Sequence, residues 1–151
     1  DRTYQCGRRV DAVKLWLTWK ARGDAGFAAR IDHAVAMADF SRMVISASDG
    51  AFVPLVDTGF TNVVFLWVPP DLRPLVPGDL TDDVRDRLHR LAPRIKARMQ
   101  AEGSALVGYQ PVHGINAFRL LFMNPEVRPE DVDAVLDHIA RYGEEEWTSL
   151  D

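Results

Sequence analysis

Asn62-Val63-Val64-Phe65-Leu66-Trp67-Val68 decides the architecture. This short run of β-branched and aromatic residues reads as a β-strand. Before it, Asp57, Thr58 and Gly59 are turn formers, and Phe52 to Val56 is a second short strand, so the pair predicts a hairpin. Further upstream, the segment from Arg8 to Arg22 sets Val10, Val13, Leu15, Trp16, Leu17 and Trp19 around most of a helix circumference. Such a helix wants protein on several sides. A break at Gly23 to Gly26 separates it from a second helical pattern with Ile31, Ala34, Val35 and Ala38 on one face, running to about Ser46. Ser48, Asp49 and Gly50 supply the turn into the hairpin.

Downstream, the Pro-rich stretch Pro69 to Gly78 is a connector, and Thr81 followed by Asp82 and Asp83 predicts a capped helix start. Val84, Leu88, Leu91, Ile95 and Met99 form that helix's apolar stripe, and Gly103 ends it. Pro93 inside the stripe predicts a kink or a break into two helices. Ala105 to Tyr109 and Ala117 to Met123 read as a second strand pair around a loop from Gln110 to Asn116. The last helix starts at Pro129, with Glu130 and Asp131 suiting its dipole. Its stripe is Val132, Val135, Leu136 and Ile139, its expected stop is Gly143, and the tail beyond is expected to be loose. Two helices followed by β-β-α-β-β-α predict a small mixed α/β domain, more narrowly α+β: an antiparallel sheet with helices packed on one face. That architecture names no activity.

With 151 residues, 47% of them hydrophobic, the chain can bury a core of its own. A net charge of -4 and a pI near 5.5 argue against a general binder of nucleic-acid backbone. The single cysteine, Cys6, excludes an internal disulfide framework and a multi-cysteine metal site, and suits a cytoplasmic protein. No apolar run is long enough to cross a bilayer and no secretory leader opens the chain, so no membrane association is expected. The sequence begins with Asp1 rather than methionine, so the natural start is expected to be missing.

His33, His89, His113 and His138 lack the spacing and carboxylate companion of a zinc helix, and no metal site is expected. His113 differs because it falls in the loop between two strands, where functional side chains are often displayed, although an ordinary exposed histidine fits there too. Cys6 reads as a packed thiol unless Arg8 and Arg9 approach it. Arg85, Arg87, Arg90, Arg94, Lys96 and Arg98 crowd one helix and read as a solvated face. Arg119 stands out as a guanidinium inside the apolar run Ala117 to Met123. It needs a partner there: either a ligand carboxylate held by its planar fork or one of the chain's own acids.

Several stretches, in order over nearly the whole chain, resemble the group II pyridoxal-phosphate decarboxylases of acidic amino acids. They are Gln5-Cys6-Gly7-Arg8-Arg9-Val10-Asp11, Lys14-Leu15-Trp16-Leu17-Thr18-Trp19-Lys20, Thr61-Asn62-Val63, Leu91-Ala92-Pro93, Val107-Gly108-Tyr109-Gln110-Pro111, Asn116 to Arg119, and Asn124-Pro125. The resemblance implies a type I aminotransferase-like fold and a homodimer with active sites at the subunit interface. It also implies a C-terminal portion, with residues 1–25 as the end of the large domain and 26–151 as the connecting helix and small domain. The substrate would be cysteine sulfinate, aspartate or glutamate, with Arg8-Arg9, Arg30-Ile31-Asp32 and Val68-Pro69-Pro70 closer to cysteine sulfinate decarboxylases.

By this resemblance Arg119 binds the substrate α-carboxylate. Because the carboxylate's charge leaves that group during decarboxylation, the useful contribution is orientation rather than ground-state binding. The family's two aromatics before this arginine are reduced to one, Ala117 replacing the first, and the loop Val112 to Ile115 is one residue shorter than usual. The cofactor-binding lysine of the family follows a histidine, whereas Lys14, Lys20 and Lys96 follow Val13, Trp19 and Ile95. Pyridoxal phosphate would therefore be held by a lysine outside this chain, and the segment alone is expected to be inactive. The rival expectations are a non-catalytic interaction domain, such as a pseudoenzyme of the same fold, and a stand-alone small-molecule-binding α/β domain. The Trp16 and Trp19 helix argues against the latter, since alone it invites aggregation.

Overall fold

The computed structural model describes residues 11–76 and 80–150. Strands β1 (Phe52–Val56) and β2 (Asn62–Trp67) form the expected antiparallel hairpin, with Phe52 opposite Trp67 and Val53 opposite Leu66. β3 (Gly108–Val112) and β4 (Ile115–Leu121) complete a four-stranded antiparallel sheet in the order β1-β2-β4-β3. β2 is central and Val63 to Trp67 are all buried, which explains why its sequence is a continuous apolar run without alternation.

The second hairpin has a tighter turn than its sequence predicts, β3 ending later and β4 starting earlier. Most of the expected loop from Gln110 to Asn116 is strand, and only His113 and Gly114 turn the chain, with Val112 facing Ile115. Both turn residues have positive φ, 49° and 81°, matching the right-handed twist of the flanking strands. Pro111 reads as loop punctuation but lies on edge strand β3, where a missing N–H can point away from the sheet.

Helix α1 (Asp11–Ser46) is interrupted at Gly23, whose φ of 65° and ψ of -180° leave helical geometry at the expected break. Before the break every described residue is exposed, Trp16 to 58% and Trp19 to 46%. After it, Ala34, Ala38, Ser41 and Ile45 make the buried stripe. Ile31, expected on that stripe, is 48% exposed, because contact with the rest of the described residues starts one turn later.

Helix α2 (Asp82–Glu102) begins where the Thr81 hydroxyl accepts a hydrogen bond from the Val84 amide at 3.4 Å, and ends at Gly103 with φ 67°. Pro93 does not divide it: the helix is continuous across that position. Helix α3 (Pro129–Thr148) likewise passes through its predicted stop. Gly143 serves packing instead of termination, since a Cβ there would lie 2.7 Å from the Trp67 ring. The expected loose tail is helical as far as Thr148, and the buried Trp147 donates to Asp71 at 3.4 Å.

The continuation of α3 gives the basic face of α2 its partners, so that face is less solvated than its sequence predicts. Arg94 pairs with Glu146 at 2.7 Å, Arg98 with Glu102 at 2.5 Å and Glu145 at 3.1 Å, and the Arg87 guanidinium lies 3.8 Å from the Trp147 ring centre. Hydrogen bonds from Arg98 first and Tyr142 second hold the Glu102 carboxyl below the ordinary carboxylate range. A depressed folded-state value means that Glu102's contribution to stability is present above its unfolded pKa and is lost as pH falls through the folded one. Carbon-detected NMR titration is expected to show the Glu102 midpoint moving upward in Arg98→Ala; an unmoved midpoint would contradict this account.

Candidate functional site

Arg119 lies near the far end of β4 from its turn, opposite Val64 of β2 and Gly108 of β3. Strand alternation separates Asn116, Phe118 and Leu120 from Ile115, Ala117, Arg119 and Leu121. The first set faces the helices, as the hydrogen bond from Asn116 to His89 of α2 and the packing of Phe118 on Phe65 show. Arg119 therefore projects from the opposite face, among the side chain of Val64 and the bare backbone of Gly108. It is exposed and makes no hydrogen bond or ion pair among the described residues. Of the two partners its sequence leaves open, the internal acid is not used by the described residues. A fork-shaped cation is left facing outward from an apolar sheet, able to take a carboxylate through two parallel N–H donors.

The other candidates lie elsewhere. His113 is exposed at the β3–β4 turn, about 20 Å along the strand from Arg119 at roughly 3.4 Å per residue. It borders a depression of about 450 Å³ lined by Leu66, Leu75, Leu80, Arg85 and Ile115, and its carbonyl accepts from Arg85 at 3.2 Å. His33 contacts the Val127 carbonyl at 2.8 Å, and His138 stacks on Tyr142 at 5.9 Å. The structure thus brings neither His113 nor another histidine to Arg119. Cys6, Arg8 and Arg9 lie outside the described residues.

Pyridoxal phosphate needs a lysine amine presented in a pocket. Lys14 pairs with Asp11 at 3.2 Å on the exposed start of α1, and Lys20 sits 5.9 Å over the Trp16 ring. Lys96 lies 5.3 Å over the Tyr109 ring on the helix-covered side of the sheet. All three lysines of the sequence are thereby accounted for, and none fits attachment of the cofactor. What this chain can supply is a cation on a rigid strand.

One role was not legible beforehand, that of Asn116. It is buried, and its side-chain amide donates to the His89 carbonyl at 2.8 Å. The signal was present in Pro93: a proline inside a helix frees the carbonyl four residues earlier, here His89, which then needs a donor from elsewhere.

Residues 1–68 match the model of the pyridoxal-dependent decarboxylase conserved domain. The chain is 41% identical over 147 residues to human cysteine sulfinic acid decarboxylase, covering 96% of this chain and 29% of that protein. It is 38% identical over 146 residues to the bovine acidic amino acid decarboxylase GADL1, covering 96% of this chain and 27% of that protein. The fold agrees, since a crystal structure of mouse CSAD superposes with a TM-score of 0.80 at 39% identity, over 93% of this chain and 29% of that one. The chain thus spans less than a third of the length of the curated relatives it matches. The sequence match and the like-folded relative converge: over nearly its whole length the chain is similar to pyridoxal-dependent decarboxylases.

Proposed function

We propose that the full-length protein decarboxylates an acidic amino acid, namely cysteine sulfinate, aspartate or glutamate, and that Arg119 binds the substrate's α-carboxylate. The observation that carries this is the outward-facing guanidinium of Arg119, without a partner among the described residues, on a central strand of a sheet whose other face is packed by helices. A strand held on both sides fixes the direction of the fork better than a loop would, and orientation is what this group can contribute. The names of the relatives support the substrate class. Pyridoxal phosphate would be bound through a lysine outside this chain, and residues 1–151 alone would be inactive.

Residues 1–25 are read as the end of a large domain and 26–151 as the connecting helix and small domain. In support, α1 breaks at Gly23 and only the part after the break packs against the sheet. The exposed Val13, Leu15, Trp16, Leu17 and Trp19 suit burial against the remainder of the protein, which we read as a cytoplasmic homodimer.

The test is incubation of the full-length protein with each of the three amino acids and measurement of released carbon dioxide. Turnover of at least one, with visible absorbance from bound cofactor, is expected. A folded dimer lacking that absorbance and inactive on all three would instead identify a non-catalytic interaction domain of the same fold.

A further inference from the structure

We infer that Asn116 is a positioning residue for Arg119, acting through the carbonyl that Pro93 leaves free on α2. From Arg85, whose amide donates to the Thr81 carbonyl, each amide along a regular helix donates to the carbonyl four residues back, but Pro93 has no N–H to give. The His89 carbonyl is its missing acceptor, and the Asn116 side-chain nitrogen takes its place as donor at 2.8 Å. The same nitrogen lies 3.3 Å from His89 Nε2, while His89 Nδ1 lies 3.2 Å from the Gly114 carbonyl. A carbonyl only accepts, so the proton of a neutral His89 belongs on Nδ1, leaving the Nε2 lone pair toward Asn116. Arg85 adds a third tie, donating to the His113 carbonyl at 3.2 Å.

These ties fix the β3–β4 hairpin to α2 at its turn and at Asn116, on the helix side of the sheet. Arg119 is three residues further along the same strand on the opposite face. A one-residue slip of β4 would exchange the faces and carry Arg119 toward the helices. The helix hydrogen bond forgone at Pro93 is thus redirected to specify which face of the strand carries the guanidinium.

The inference rests on reading Arg119 as the carboxylate clamp, so the experiment tests the two separately. In the full-length protein, Asn116→Ala is expected to reduce hydrogen-exchange protection of the amides of Phe118 to Leu120, and to raise KM, each by about tenfold. Adding Pro93→Ala restores a helix N–H to the His89 carbonyl, so the double variant is expected to recover thermal stability while KM and exchange stay perturbed. It also keeps the test available if Asn116→Ala alone fails to accumulate. KM recovering together with stability would show Asn116 to be merely structural and overturn the inference, as would unchanged exchange or unchanged KM in Asn116→Ala. If Arg119→Met raises KM and Asn116→Ala does not, only the positioning role fails. If Arg119→Met leaves kcat/KM unchanged, the clamp fails, and the positioning role fails with it.

Discussion

Arg119→Met in the full-length protein is expected to lower kcat/KM for the acidic amino acid about 10²-fold, which corresponds to about 3 kcal/mol. The magnitude follows from losing a charge-assisted, two-pronged hydrogen bond, whose removal costs about 1.5–3 kcal/mol, together with the fixed substrate direction it provides. Methionine keeps the length and apolar stem of the side chain, so packing beside Val64 and Gly108 is preserved. Stability is expected to change by less than about 0.5 kcal/mol, because Arg119 is exposed and has no partner to lose among the described residues. Arg119→Lys separates charge from shape. It keeps the cation and loses the planar fork, so it is expected to recover only part of the activity. Steady-state kinetics beside thermal unfolding checks all three expectations. A loss of activity that tracks a loss of stability would instead make Arg119 structural.

The contrast between Arg119 and Gly143 shows what the sequence could reveal. A guanidinium in an apolar strand violates the local pattern, and such violations concentrate at functional sites, so Arg119 could be singled out as a candidate without coordinates. The β1–β2 hairpin, the break at Gly23 and the Thr81 cap were legible for a similar reason: turn formers and caps act on their immediate neighbours. Gly143 was misread because glycine has two uses. It ends helices through positive φ, and it permits close approach through its missing side chain. Only the position of Trp67, 76 residues earlier, decides between them. Pro93 was misread likewise, since its broken hydrogen bond is replaced by Asn116, 23 residues later. The β3–β4 turn was hidden because His113 occupies a positive-φ position more often taken by asparagine, aspartate or glycine. In each case the deciding partner is remote in sequence or the residue type is uncommon for its conformation.

Gly143→Ala is expected to destabilise the protein by about 2 kcal/mol, against the usual helix preference that favours alanine over glycine by about 1 kcal/mol. The sign is set by distance. A Cβ at position 143 would meet ring atoms of Trp67 at 2.7 Å, and that ring is itself buried at the end of β2, with little room to withdraw. Either α3 moves outward or the tryptophan leaves its rotamer. An outward shift would carry Glu145, Glu146 and Trp147 away from Arg98, Arg94 and Arg87, loosening the seam that holds α3 on α2. Since α2 in turn ties down β4 through His89 and Asn116, the disturbance would travel toward the strand that carries Arg119. A Trp67→Phe change in the Gly143→Ala background distinguishes overpacking from a general intolerance of side chains at 143. Phenylalanine removes the crowding ring atoms, so the double variant is expected to be less destabilised than the sum of the single changes, with a coupling of about 1 kcal/mol or more. Strict additivity, measured by thermal or denaturant unfolding of the four proteins, would show that the close approach of α3 to Trp67 is not what Gly143 provides.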